Sequence, residues 1–202
     1  MLTFRTPHFA DSRVIADDAS EVIDKSHRDS QTTYLDIPYD PAGNDAHAVI
    51  KCIEERAAHF QGNVPIENIE NLQAVKYKAG GRFNPHYDWL YEATGGFGLD
   101  TAGNRESSFF VYLEANCTGG STNFPAVDRP MEKEWCDTLN CVDEGGKEIR
   151  TVEVKPKVGR AIFWWNVDAW GDVDEMTLHA GAPLIEGSKI GLNIWTRRRR
   201  FR

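Results

Sequence analysis

Between residues 44 and 60 the chain sets Val49, Ile50, Ile53, Ala57 and Phe60 three and four positions apart, the spacing at which side chains share one face of an α-helix. Asn44 reads as the cap of this run and Gly62 as its stop, so a helix over residues 44–60 is predicted, packing on a sheet with Cys52 in the core. Another turn or two is predicted over 66–72. The period then shortens to that of strands, at 73–78, 82–89, 108–113, 149–155, 161–166, 176–180 and 189–197. Glycine-rich breaks at 94–98 and 143–147 separate them and are expected to be mobile loops. The residues before the helix are polar and weakly patterned. Helices first and many short strands afterwards predict a mainly β fold, a sandwich of antiparallel sheets with supporting N-terminal helices.

Composition adds limits. A chain of 202 residues with 41% hydrophobic and 27% charged positions is ordinary for one globular domain, taken here as 1–202. A formal charge of -8 argues against a general nucleic-acid binder, whose phosphate contacts need a basic surface. No apolar run approaches the roughly 18 residues of a membrane span. Residues 1–8 lack a secretory signal, which leaves the compartment open: the endoplasmic reticulum if a signal was removed, the cytoplasm otherwise. Four cysteines are too few for a disulfide scaffold. The spacing of Cys136 and Cys141 is as compatible with a local bridge as with two free thiols. Asn116-Cys117-Thr118 fits a glycosylation sequon, but it abuts Gly119-Gly120 and reads as structural. Most of the six tryptophans read as core, and the arginines of 197–202 as a solvated tail.

The candidate chemistry lies in Asn84-Pro85-His86-Tyr87-Asp88. In an extended strand, side chains two apart leave the same face, so His86 and Asp88 can converge on one ion while Tyr87 points away. His179, on a strand-like stretch downstream, can supply a third ligand. Two imidazoles and one carboxylate are the donor set of the facial triad that holds non-haem Fe(II).

Around these residues run Asn71-Leu72-Gln73-Ala74-Val75-Lys76-Tyr77, Gly81 to Asp88, Arg105 followed by Phe109-Phe110-Val111-Tyr112-Leu113, and Gly119 to Pro125. Lys155-Pro156-Lys157-Val158-Gly159-Arg160-Ala161-Ile162-Phe163-Trp164 and His179 to Trp195 follow. In order and spacing, from about residue 26 to 197, the chain resembles the prolyl 4-hydroxylase branch of the 2-oxoglutarate and Fe(II)-dependent dioxygenases. The resemblance implies a double-stranded β-helix, or jelly-roll barrel, that uses Fe(II), O2, 2-oxoglutarate as cosubstrate and ascorbate as reductant. It also implies that the chain begins late, without the helix that usually precedes residue 5.

By the same resemblance, Lys189 pairs with the far carboxylate of 2-oxoglutarate, helped by Tyr77 and Thr122. Iron, Asp88, the dianionic cosubstrate and Lys189 then sum to zero charge, as a buried assembly requires. Arg28, Ser30, Glu70, Arg105 and Trp195 match substrate-side positions. Phe83 stands where the family usually has tyrosine. The glycine-rich loop 91–104 is either a lid or plain surface. Two substrates are carried forward: proline in a peptide, or a free imino acid or small natural-product intermediate with Arg105 as its carboxylate partner. A non-catalytic barrel that binds metal or sugar needs neither Asp88 nor Lys189, and is set aside on that ground.

Overall fold

The computed structural model describes residues 8–15, 20–35, 45–90 and 99–202. In chain order the elements are β1 (Ala10–Asp11), β2 (Val14–Ile15), β3 (Glu21–Val22), β4 (Arg28–Asp29), β5 (Gln31–Tyr34), α1 (Asp45–Phe60), β6 (Gln73–Lys78) and β7 (Arg82–His86). Then come α2 (Leu99–Ala102), β8 (Arg105–Gly119), β9 (Thr122–Asp128), β10 (Thr151–Val154), β11 (Ala161–Trp165), β12 (His179–Gly181) and β13 (Leu184–Arg197). One large sheet runs β1-β5-β6-β13-β8-β11, a second β10-β9-β12-β7-β4, and β2 pairs with β3 apart from both, with every pairing antiparallel.

Alternation along the strands sorts the side chains into two cores. Ala74, Phe109, Leu192 and Ile194 face α1, where they cluster with Ala57, Ala58, Ile69 and Leu72. Their neighbours Val75, Tyr77, Phe110 and Tyr112 face the other way and meet Val154 and Leu184. The five-stranded sheet covers that second face, and the predicted jelly-roll sandwich is formed. Gly191 has a packing reason, since a Cβ there would lie 2.2 Å from Cζ of Phe110.

Several expectations are corrected. Helix α1 buries Ile50, Ile53, Glu54, Ala57 and Ala58 wholly or partly, the i, i+3, i+4, i+7, i+8 stripe. Val49 and Phe60 are therefore 57% and 65% exposed, and Cys52, on the far side of the helix, is exposed instead of core. Glu54 can join the stripe because Nη2 of Arg202 meets it at 2.7 Å. The terminal arginines are thus no simple solvated tail: Arg197 is 2% exposed and bound to Glu70. The cap Asn44 lies outside the described residues, whereas Gly62 does stop the helix at φ +86°.

Only a 3-10 turn, Ile66–Asn68, occupies the predicted second helix, and among the described residues short strands rather than further helices precede α1. Strand β7 stops at His86, three residues early, and 176–180 splits into a 3-10 turn, Glu175–Thr177, followed by β12. The break at 143–147 is an ordered turn in which Asp143 accepts from the backbone of Gly145 and Lys147. The break at 94–98 lies outside the described residues. Trp89 and Trp195 are core, but Trp135, Trp165 and Trp170 are 45%, 48% and 87% exposed, on outward strand positions and turns. Cys136 and Cys141 form a disulfide. The loop it closes pushes Leu139 into the inner core, while Lys155 Nζ donates to the Cys136 carbonyl at 2.6 Å.

Candidate active site

β12 lies beside β7 with His179 directly opposite His86, and this register sets the two imidazoles 4.3 Å apart between ring centroids. Asp88 follows the end of β7. Its Oδ1 is 4.0 Å from His86 Nε2 and its Oδ2 is 3.8 Å from His179 Nε2. The three ligand atoms lie within 4.8 Å of one another, close enough to share an ion.

Each ring is oriented by the backbone. His86 Nδ1 is 2.8 Å from the Asn84 carbonyl and His179 Nδ1 is 2.9 Å from the Thr177 carbonyl. A carbonyl only accepts, so both Nδ1 atoms carry hydrogen and both Nε2 atoms face the gap. Burial, reinforced by His179, holds the His86 pKa well below its ordinary value and keeps it neutral. Burial pushes Asp88 upward, but His179, His86 and Arg105 outweigh it and hold the carboxyl at about 2. A neutral imidazole at His86 and an ionised carboxylate at Asp88 suit a metal, which binds deprotonated ligands. The donor set therefore fits Fe(II).

The triad shares a narrow cavity of about 40 Å³ with Tyr77, Thr122 and Lys189, walled by Phe110 and Trp164. Lys189 is 1% exposed; its Nζ donates to the Gly120 carbonyl and sits 4.7 Å from the Tyr77 ring centroid. No carboxylate pairs with it among the described residues, and burial pushes its pKa down to about 8. Thr122 Oγ1 is 2.7 Å from the Tyr112 hydroxyl.

Outside the cavity lies a groove of about 550 Å³, of ordinary ligand-pocket size. Arg28, Phe83, His86, Asp88 and Trp195 line both spaces, and Arg105 lines the groove. Phe83 stacks on His86 at 3.5 Å between centroids, and Arg28 covers Phe83 at 4.5 Å. Glu70 and Ser30 line neither space. Ser30 holds Arg28 Nε at 3.3 Å, and Glu70 grips Arg105 through two bonds of 2.8 and 3.0 Å while also binding Arg197. In this structure both residues hold the arginines behind the groove wall.

Glu70→Ala would remove the carboxylate that two buried guanidiniums share. We expect it to cost about 3–5 kcal/mol in a denaturant titration at neutral pH. Burial raises the Glu70 pKa but Arg105 and Arg197 overcome it, so the net shift is downward. The contribution is therefore present above the ordinary carboxylate range, and the gap between the two proteins should close as acid protonates Glu70. A difference within 0.5 kcal/mol, about that of a surface substitution, would refute this role.

A sequence profile described as the 2OG-Fe(II) oxygenase superfamily matches residues 72–197, which hold all three triad residues and Lys189. The chain belongs to this superfamily. Among curated relatives of this oxygenase, "Probable prolyl 4-hydroxylase 3" of Arabidopsis thaliana is 30% identical over 96% of the chain and 63% of the relative. "Prolyl 4-hydroxylase 5" of the same plant is 28% identical over 96% and 62%. The chain thus spans under two thirds of their length. Among solved structures, a viral collagen prolyl hydroxylase from Paramecium Bursaria Chlorella virus-1 in its 2OG complex superposes with a TM-score of 0.56. It is 25% identical and covers 85% of this chain and 80% of that one. Over most of its length the chain is similar to proteins named as prolyl 4-hydroxylases.

Sequence reading missed Ser108 and Asn166, which stand behind Asp88, and Tyr112 behind Thr122. The one available signal was a run of polar residues, Ser107 and Ser108, leading into the apolar strand 109–113. Of the suspected lid, only 99–104 is described; Asn104 there holds Leu90 through bonds of 2.8 and 2.9 Å.

Proposed function

We propose that this oxygenase hydroxylates proline residues in peptides or proteins. The observation that carries the reading is the open groove meeting the triad at His86 and Asp88: it admits an extended chain, while the narrow inner cavity suits a small cosubstrate. The names printed for the Arabidopsis and viral relatives support the same class. When bound, iron with O2 and 2-oxoglutarate supplies the oxidation, with release of succinate and carbon dioxide.

His86, Asp88 and His179 hold the iron. Lys189, with Tyr77 and Thr122, holds the far carboxylate of 2-oxoglutarate, and Phe110 and Trp164 keep water from its stem. Arg28, Phe83 and Trp195 position the proline ring where cavity and groove meet. Ascorbate serves as reductant. Residues 1–202 act as one domain, a reading supported by β4 and β5 joining the two sheets that hold the site.

A free imino acid is the second reading, and one observation favours it. Arg28 is 8% exposed, bonded to Ser30 Oγ, the Arg13 carbonyl and Gln73 Oε1, and pairs with no carboxylate among the described residues. It replaces Arg105 as the candidate partner, because Glu70 already occupies Arg105.

Mass spectrometry of products from a panel of proline-rich peptides and free imino acids decides between them. We expect gain of one oxygen on the peptides. Oxygen confined to the free imino acids would overturn the peptide reading.

A further inference from the structure

Asp88 stands beyond the last ladder bond of β7, so the sheet does not orient its carboxylate. That orientation comes from the opposite sheet. Ser108 Oγ on β8 is 2.6 Å from Asp88 Oδ2, and Asn166 Nδ2 is 2.9 Å from Ser108 Oγ. Ser108 and Asn166 are both 0% exposed. A metal-ligating carboxylate only accepts hydrogen bonds, so Ser108 must donate to it. The hydroxyl has a single hydrogen, so its bond to Asn166 must be one in which the amide nitrogen donates. The direction of the whole chain is thereby set from the carboxylate outward.

We infer that Asn166 is a positioning residue for the metal: its amide fixes the direction of the Ser108 hydroxyl, which holds Asp88 Oδ2 and leaves Oδ1 to the ion. The backbone is built to keep Asn166 still. Its N–H donates to the Glu106 carbonyl at 2.8 Å and its carbonyl accepts from Asp174 N–H at 3.0 Å. Its side-chain Oδ1 has no partner among the described residues. The side chain is thus bonded through its donor end, which faces Ser108.

The inference rests on the triad reading and is independent of the substrate. Its test is Asn166→Asp, which keeps the shape but presents Ser108 with an acceptor and so draws the hydroxyl away from Asp88. Binding of Co(II) alone, followed by calorimetry and by the visible absorption of the bound ion, is expected to weaken ten- to a hundredfold, the usual cost of losing an outer partner of a ligand. Ser108→Ala and Asn166→Ala should each weaken Co(II) binding, and the double variant should bind as Ser108→Ala does, because Asn166 acts only through Ser108. Circular dichroism and the thermal transition of each metal-free variant restrict the comparison to folded protein.

Unchanged Co(II) affinity in folded Asn166→Asp, or strictly additive losses in the double variant, would overturn the inference while the triad stands. If the unaltered chain failed to bind Co(II), triad and inference would fall together. A residue that merely supports the fold would lower the thermal transition without moving the affinity of the folded fraction.

Discussion

With either His86→Ala or His179→Ala, 2-oxoglutarate turnover that the unaltered chain supports with Fe(II) is expected to disappear. Each change removes one of three donors whose ligand atoms lie within 4.8 Å of one another, and no fourth His, Cys, Asp or Glu joins that group among the described residues. The loss should appear in iron binding as well as in succinate formation, because the remaining imidazole and Asp88 form an incomplete facial set. Co(II) and Ni(II) should occupy the intact site and compete with Fe(II) without supporting turnover, since affinity rises along that series while the redox chemistry belongs to iron. Succinate release assayed by mass spectrometry, beside calorimetric metal titration, checks both halves. Full turnover in either variant would remove the metal assignment.

The second large effect belongs to Lys189. Changing it to methionine should weaken 2-oxoglutarate binding by more than a hundredfold, from the roughly 3–5 kcal/mol that breaking a buried charge pair costs. Iron affinity should stay unchanged. The stability of the ligand-free protein should hold or rise, because here the lysine is a buried cation with no carboxylate beside it among the described residues.

The pH dependence has a definite sign. The folded pKa of about 8 lies below the ordinary lysine value of 10.5, so the folded state favours the neutral amine. The penalty of about 3 kcal/mol, from the usual 1.36 kcal/mol per pKa unit, is full below pH 8 and is relieved between 8 and 10.5. Stability of the ligand-free chain should climb across that window, and 2-oxoglutarate affinity should fall over the same range as the ammonium is lost. Undiminished 2-oxoglutarate affinity in Lys189→Met would sink the cosubstrate pocket. Loss of folding instead would mean that the lysine supports the fold.

Local periodicity determined much of this protein. The 73–78 run is a strand with the bounds that its pattern predicts, and 44–60 is a helix to within the described residues. The two-residue step from His86 to Asp88 marked two ligands, and a lysine leading the apolar run 190–195 marked the buried cation. These features depend on neighbours in sequence, which the chain displays directly.

Other features depend on what lies across a sheet, and only the tertiary structure decided them. The strands β5 and β9 carry polar residues, and β9 contains Pro125 near a shift in its pairing with β10, so neither shows clean alternation. β8 and β13 run well past their apolar stretches because each has the other to bond with. The face of α1 that is buried was chosen by Arg202 and by the sheet beneath, against the brighter apolar signal of Val49 and Phe60. His179 joined the triad through the register that sets it opposite His86. Glu70, Ser108 and Asn166 acquired roles only from the groups facing them. Hydrophobic period is written residue by residue along a chain, but a hydrogen-bond partner brought from a distant strand is a property of the fold.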